Sequence, residues 1–171
     1  MSPQWRHGGV SYLLGRLIDV LTEEWEIPVE AADPVTFNRQ DIGKGIEPDK
    51  CYYFGPNAAL VRGKDRLITG EDPAPDLVIE ADITHSSLDR LKTYEALGVR
   101  EVWRFDGESL EFFHLQTDAS YQSRDFSLNF PGLAVETTAR FLEKGRNEDK
   151  TAWARSFRAT VRELPQARGQ G

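Results

Sequence analysis

The sequence has a single cysteine, Cys51, among its 171 residues. One cysteine cannot form an internal disulfide, which fits a reducing compartment and predicts a cytoplasmic protein. Because no base lies near it in the sequence, we interpret Cys51 as a buried strand residue rather than a nucleophile. The chain also lacks an apolar run of about 18 residues, which argues against a membrane span. Its N-terminus lacks the apolar core of a secretory signal.

Histidine and positive charge are scarce as well. The three histidines, His7, His85 and His114, do not have metal-ligand spacing, which argues against a zinc site. The formal net charge of −7 predicts a soluble protein and argues against one that clings to nucleic acid through its overall charge. The length predicts one domain over residues 1–171, with flexible ends at 1–9 and 165–171.

An acidic strand is predicted at residues 76–83, where strand side chains alternate between two faces. One face is apolar, and the other carries Asp76, Glu80 and Asp82. Three carboxylates on one face need cations, protons or solvent to coexist. A solvated strand face and a cation site therefore both remain open on this pattern.

A helix is predicted at residues 88–97, because good N-cap residues precede it and Gly98 follows it. A strand at 99–105 comes next. A strand, helix and strand with short joints predict a parallel strand pair with the helix as the crossover. The predicted apolar stripe of the helix contains Leu88, Leu91 and Ala96. Lys92 lies beside this stripe and could reach the edge of the acidic strand. The alternative is a surface lysine in a local ion pair.

A second acidic segment, Glu47-Pro48-Asp49, precedes a predicted strand at residues 51–54. Proline is tolerated at the first position of a strand and keeps the chain extended. We therefore expect the Asp49 side chain to have a fixed direction at the start of that strand.

The remaining pattern predicts a helix at 10–25, a turn at 43–45, a loop with a short strand at 58–69, and a hairpin at 106–107. It also predicts a strand at 110–115 and a last helix at 147–164. A homodimer is a further expectation, formed through an exposed Trp153 and Phe157 or through the strand at 110–115 as a sheet edge.

Two segments carry a resemblance: GIEPDKCYYF at residues 45–54 and PDLVIEADITHSSLDRLKTYEALGVREVWRFDG at residues 75–107. With these motifs in this order, the sequence resembles the Uma-type (Uma-two) endonuclease family, bacterial proteins of the PD-(D/E)XK nuclease-like superfamily. The resemblance implies an α/β fold with a restriction-endonuclease-like mixed β-sheet flanked by helices. It also implies an acidic metal site at one edge of the sheet.

The resemblance assigns roles to particular residues. Asp49 matches the first Asp of the superfamily pattern, and Glu80 matches the acid of its second unit. Asp82 stands where that unit has lysine, which is a departure, and Lys92 takes the place of a lysine displaced to the helix. Asp76, in a second PD pair, is the alternative to Asp49 as the principal metal ligand. The predicted catalytic residues are Asp49, Asp76, Glu80 and Lys92, and the predicted metal ligands are Asp49, Asp76, Glu80 and Asp82.

The implied function is a metal-dependent DNA endonuclease that hydrolyses phosphodiester bonds, with Mg2+ or Mn2+ as cofactor and DNA as substrate. Lys92 would orient or deprotonate the attacking water, or stabilise charge on the phosphate. The alternative is a catalytically silent module with a relic nuclease site that binds nucleic acid or protein, because Asp82 replaces the expected lysine. Hydrolysis of another phosphate substrate would use the same residues.

Overall fold

The computed structural model describes residues 3–32, 37–39, 44–81 and 87–166. Within these residues the helices are α1 (Pro3–Glu24), α2 (Gly55–Val61), α3 (Ser87–Leu97), α4 (Val135–Asn147) and α5 (Lys150–Glu163). The strands are β1 (Val29–Ala32), β2 (Phe37–Arg39), β3 (Lys44–Ile46), β4 (Lys50–Phe54), β5 (Leu77–Glu80), β6 (Glu101–Phe105), β7 (Leu110–Leu115) and β8 (Tyr121–Arg124). None of the helices in this part of the chain combines the length and the apolar run needed to cross a bilayer.

Six of the strands form one mixed sheet in the order β1-β4-β5-β6-β7-β8. Only the pair β5 and β6 is parallel, and α3 lies between these two strands in the chain. This confirms the predicted strand, helix and strand unit, and Gly98 follows α3 with the positive φ of 78° that suits a glycine stop. β2 and β3 form a separate two-stranded hairpin. The α/β architecture expected from the resemblance is thus confirmed.

Each face of the sheet has its own apolar core. One core contains side chains of α1, α4 and α5 with alternate strand residues such as Leu77 and Trp103. The other contains side chains of α2 and α3 with Val78 and Val102. Cys51 is fully buried in this second core, which confirms its interpretation as a buried strand residue. The alternation within β5 fixes which of its side chains can face α3.

Several predicted boundaries were wrong. α1 begins at Pro3 rather than at residue 10. The predicted turn at 43–45 is partly strand, because Lys44 pairs with Arg39 in the β2–β3 hairpin and pairing outweighs the local turn preference. α2 replaces the predicted loop after β4; Pro56 in its first turn is the available signal for a helix start.

The surfaces predicted for a homodimer are not exposed. Trp153 and Phe157 are fully buried in the core beneath α5. β7 lies between β6 and β8, so residues 110–115 do not form an edge of the sheet. The stripe on α5 faces inward because α5 packs on α1, where Arg158 forms ion pairs with Glu23 and Glu24. The predicted routes to a dimer were therefore wrong.

Glu101 anchors the chain that follows β8 to the sheet. Its fully buried carboxylate accepts hydrogen bonds from the indole of Trp103, the Ser127 hydroxyl, the Leu128 amide, and both the amide and the side chain of Asn129. Burial acts to raise the pKa of Glu101, but the interactions with His114, Trp103 and Asn129 together outweigh burial, so the pKa lies below its ordinary value. This buried charge has a structural explanation.

Candidate active site

The register of β4 and β5 sets two acidic side chains opposite each other. Lys50 pairs with Ile79, so one residue further the same antiparallel register places Asp49 opposite Glu80. The amide of Ala81 donates a 2.7 Å hydrogen bond to Oδ2 of Asp49, which fixes this carboxylate at the end of β5. Side chains opposite each other in an antiparallel pair have Cβ atoms about 5 Å apart. The structure thus brings the predicted Asp49 and Glu80 together.

Two side chains of α3 contact Glu80 from above the sheet. Nε and Nη2 of Arg90 lie 3.0 and 2.9 Å from Oε1 of Glu80. The hydroxyl of Tyr94 donates a hydrogen bond to the same oxygen. Arg90 also donates to the backbone carbonyl of Glu47, so it joins the Glu47-Pro48-Asp49 segment to β5. Sequence reasoning missed both α3 residues, although their i, i+4 spacing puts them on one helix face.

Glu80 is buried, with only 3% of the residue exposed. Burial raises its pKa to about 7, and the Asp49 carboxylate adds to the rise, while the hydrogen bonds and charge from Tyr94 and Arg90 oppose it. Burial also raises the pKa of the Tyr94 hydroxyl, and the adjacent Glu80 raises it further, so Tyr94 stays a proton donor. Burial acts to lower the pKa of Arg90, but the interactions with Glu80 and Tyr94 together outweigh burial, so the pKa is raised. Glu80 is therefore poised to exchange a proton near neutral pH.

Lys92 does not lie at this site. It is two residues from both Arg90 and Tyr94, which is roughly 200° around an α-helix. Its side chain is exposed, as is that of Ala96, while Leu91 and Tyr94 are buried. The predicted apolar stripe was therefore displaced around the helix, and Arg90 occupies the position beside Glu80 that was expected for Lys92.

Asp76 lies at the opposite end of β5 from the Asp49–Glu80 pair. Glu80 follows Asp76 by four positions of extended chain, which is about 13 Å. Its buried carboxylate accepts hydrogen bonds from the Phe54 amide at 2.8 Å and from the Asn57 side chain at 2.9 Å. The structure does not bring Asp76 to Asp49 and Glu80, and these two bonds tie β5 to the start of α2.

Asp82, the fourth predicted metal ligand, lies outside the described residues. Among the residues that are described, no group of three or more His, Cys, Asp and Glu side chains is arranged to hold an ion. The pair Asp49 and Glu80 offers hard carboxylate oxygens on neighbouring strands. Mg2+ typically takes one or two protein carboxylates and completes its shell with waters and substrate phosphate oxygens. The donor set therefore fits Mg2+ or Mn2+ in chemical type.

The mixed sheet with its flanking helices defines an α/β protein with a restriction-endonuclease-like fold, and its acidic pair lies where a central strand ends. The family model described as "Uma2: Putative restriction endonuclease" matches residues 1–143, so the chain belongs to the Uma2 family. This confirms the resemblance found in the sequence. Comparison with curated proteins and with solved structures gives no match.

Proposed function

We propose that this protein is a metal-dependent endonuclease that hydrolyses phosphodiester bonds of DNA. One observation carries the proposal: Asp49 and Glu80 face each other across two strands, with the guanidinium of Arg90 on Glu80, in a chain of the Uma2 family. Carboxylates for a cation and a fixed positive charge for the phosphate are what this hydrolysis needs.

In this proposal Asp49 and Glu80 hold the Mg2+ or Mn2+ ion. A bound divalent cation supplies an acidified water and compensates charge on the phosphate. Glu80 must be ionised to bind it, so its raised pKa couples cation binding to proton release.

The α3 residues then have distinct tasks. Arg90 carries a permanent positive charge beside the carboxylate pair and stabilises negative charge that develops on the phosphate. It cannot serve as a general base, because a guanidinium does not lose its proton in a protein. The Tyr94 hydroxyl donates a hydrogen bond to Glu80 and keeps that carboxylate in orientation.

Nicking of supercoiled plasmid tests the proposal. We expect cleavage with Mg2+ or Mn2+ that stops in excess chelator and is lost in Asp49→Asn and Glu80→Gln. The exposed Lys64, whose ion pair with Asp72 is remote in sequence from the site, offers a control variant, Lys64→Met, that keeps full activity. Cleavage that continues in chelator, or that survives both carboxylate substitutions, would remove this mechanism.

The alternative function is a silent binding module with a relic site. One observation favours it: Arg90 and Tyr94 both bind Oε1 of Glu80, and together they already compensate the charge that a cation would otherwise neutralise. Calorimetric titration with Mn2+ discriminates the two functions. Heat of binding that disappears in Asp49→Asn supports the nuclease. A gel shift with DNA in the absence of any cation heat supports the module.

A further inference from the structure

One oxygen of the Glu80 carboxylate receives all the hydrogen bonds that the described residues donate to this group. Nε and Nη2 of Arg90 lie 3.0 and 2.9 Å from Oε1, and the hydroxyl of Tyr94 donates to the same atom. A carboxylate oxygen has about two lone-pair sites, so three donors leave no site on Oε1 for a further partner. Oε2 receives no hydrogen bond from this part of the chain. It is therefore the oxygen that remains for a cation.

The packing of α3 holds these donors in place. Tyr94 is fully buried, and its hydroxyl stays a donor because burial and the adjacent Glu80 both raise its pKa. Arg90 is tied a second time, since Nη2 also donates to the backbone carbonyl of Glu47. Between these two residues in the chain, Leu91 packs in the apolar core that contains Val78 and Val102. The donors on Oε1 are thus part of the folded protein before a cation binds.

We propose that Arg90 and Tyr94 determine the metal specificity of the site: by filling Oε1 they make Glu80 a one-oxygen ligand, which favours Mg2+ over Ca2+. This rests on the proposed nuclease function, which requires the cation. Mg2+ is small, demands nearly octahedral geometry and keeps several waters beside one or two carboxylates. Ca2+ takes about six to eight oxygen ligands, often two of them from one carboxylate. A Glu80 that offers a single oxygen suits Mg2+ and denies Ca2+ one of its ligands.

The ratio of the two ion affinities isolates this effect from the other consequences of a substitution. Mg2+ and Ca2+ carry the same charge, so the loss of the Arg90 charge changes both affinities alike. A change in the protonation of Glu80 also acts on both, because each ion binds the ionised carboxylate. The number of oxygens that Glu80 can offer acts on the two ions differently. The ratio therefore reports whether Oε1 is filled.

The test is calorimetric titration with Mg2+ and with Ca2+, without nucleic acid, at pH 8.5 so that the carboxylates of the site are ionised. The variants are Tyr94→Phe, Arg90→Met and the double substitution, which removes all three donors from Oε1. Leu91→Ala is one control, because it loosens the packing of α3 and keeps the donors. Tyr121→Phe is the matched control for a lost hydroxyl, since Tyr121 donates to the backbone carbonyl of Val99. Melting temperatures show whether each variant is folded.

We expect the double variant to shift the ratio of the two dissociation constants toward Ca2+ by about tenfold, the lower end of the effect that residues behind a metal ligand have on metal affinity. Each single variant should shift the ratio less. Leu91→Ala and Tyr121→Phe should keep the wild-type ratio, even where both affinities fall. An unchanged ratio in the double variant would overturn the proposal. So would an equal shift in Leu91→Ala, because the selectivity would then depend on the packing of α3 and not on Oε1.

Infrared difference spectra of the wild-type protein decide the question if the α3 variants fail to fold. A carboxylate that binds an ion through both oxygens keeps its two C–O bonds equivalent, so its antisymmetric and symmetric stretching bands lie closer together than in one-oxygen binding. Labelling of glutamate carboxyls with 13C separates the bands of Glu80 from those of Asp49. We expect the wide separation when Mg2+ is added. The narrow separation would overturn the proposal.

The calorimetry also separates this proposal from the nuclease function. If the wild-type protein binds Mg2+ and nicks plasmid while every variant keeps its ratio of affinities, only the role of Arg90 and Tyr94 in metal specificity falls. If the wild-type protein gives no heat with either ion, the nuclease function fails, and the metal specificity fails with it.

Discussion

Arg90 places two nitrogens of its guanidinium, Nη2 and Nε, within 3.0 Å of one carboxylate oxygen of Glu80. This contact joins α3 to the end of β5, a central strand. It makes Arg90 the positively charged side chain beside Glu80. It also explains how the carboxyl of a residue that is only 3% exposed can ionise in the folded protein, since the charge has a partner and a hydrogen-bond donor.

Substitution of Arg90 and of Lys92, the two basic residues on α3, should have unequal effects on the rate of plasmid nicking. We expect Arg90→Met to lower the rate of plasmid nicking by about 10²–10³-fold, because it removes a preorganised positive charge from the phosphate. Lys92→Met, on the exposed face of the same helix, should keep nearly full activity. Nicking assays of the two variants in parallel check this. A greater loss in Lys92→Met than in Arg90→Met would restore the role first predicted for Lys92.

Divalent cations should stabilise the folded protein through Asp49 and Glu80. We expect Mn2+ at 100 times its dissociation constant to raise the free energy of unfolding of the wild type by about 2.7 kcal/mol, since a ligand that binds only the folded state stabilises by mass action. Asp49→Asn and Glu80→Gln should gain little. Urea unfolding with and without Mn2+ measures the difference, and equal gains in all three proteins would remove both carboxylates from the site.

The pH dependence of stability should report Glu80. Its pKa is about 7 in the folded state against 4.5 for an unperturbed glutamate, so between these values the folded state binds more protons than the unfolded state. The stability that this group contributes is full below pH 4.5 and is lost as the pH rises through about 7. Relative to Glu80→Gln, which cannot ionise, the wild type should lose about 3 kcal/mol over this window. Urea unfolding in chelator at pH 4.5 to 8 measures the loss, and parallel curves for the two proteins would refute it.

Asp76 should matter for folding rather than for cation binding. We expect Asp76→Ala to lower the free energy of unfolding by about 1–3 kcal/mol, because the buried Phe54 amide loses its acceptor. Asp76→Asn retains an acceptor oxygen and should cost less. Mn2+ titration of the folded Asp76→Asn protein should match the wild type. Loss of the Mn2+ heat in that variant would return Asp76 to the metal site.

Much of the fold could be predicted because its signals are local. The alternation in residues 76–83 and the caps around residues 88–97 depend only on near neighbours in the chain, and both β5 and α3 were found in this way. The helix α2 was missed because it is short, with Phe54 as an N-cap that makes no side-chain cap hydrogen bond. The strand–helix–strand unit then followed from general rules of chain connection.

Local sequence signals did not predict which face of α3 is buried. A tyrosine fits either a buried or an exposed face, so Tyr94 was not assigned to the apolar stripe, and the stripe was drawn through Ala96 instead. The rotation of α3 about its own axis is set by packing against Val78 and Val102, which lie on other elements. A rotation of α3 that shifts its buried face by two residues places Arg90, and not Lys92, beside Glu80.

By itself, the sequence predicted that Asp49 stands at the start of a strand and that Glu80 shares a strand face with Asp76, because the proline before Asp49 and strand periodicity are local signals. The assignment of Asp49 and Glu80 to one site came from the family resemblance, with Asp76 as the alternative to Asp49. Only the tertiary structure decided which side chains surround Asp49 and Glu80. It set Arg90 and Tyr94 on Glu80 and left Asp76 at the far end of β5. The physical reason is that register and helix rotation are set by contacts between segments distant in the chain, and these contacts select among faces that local patterns leave equivalent.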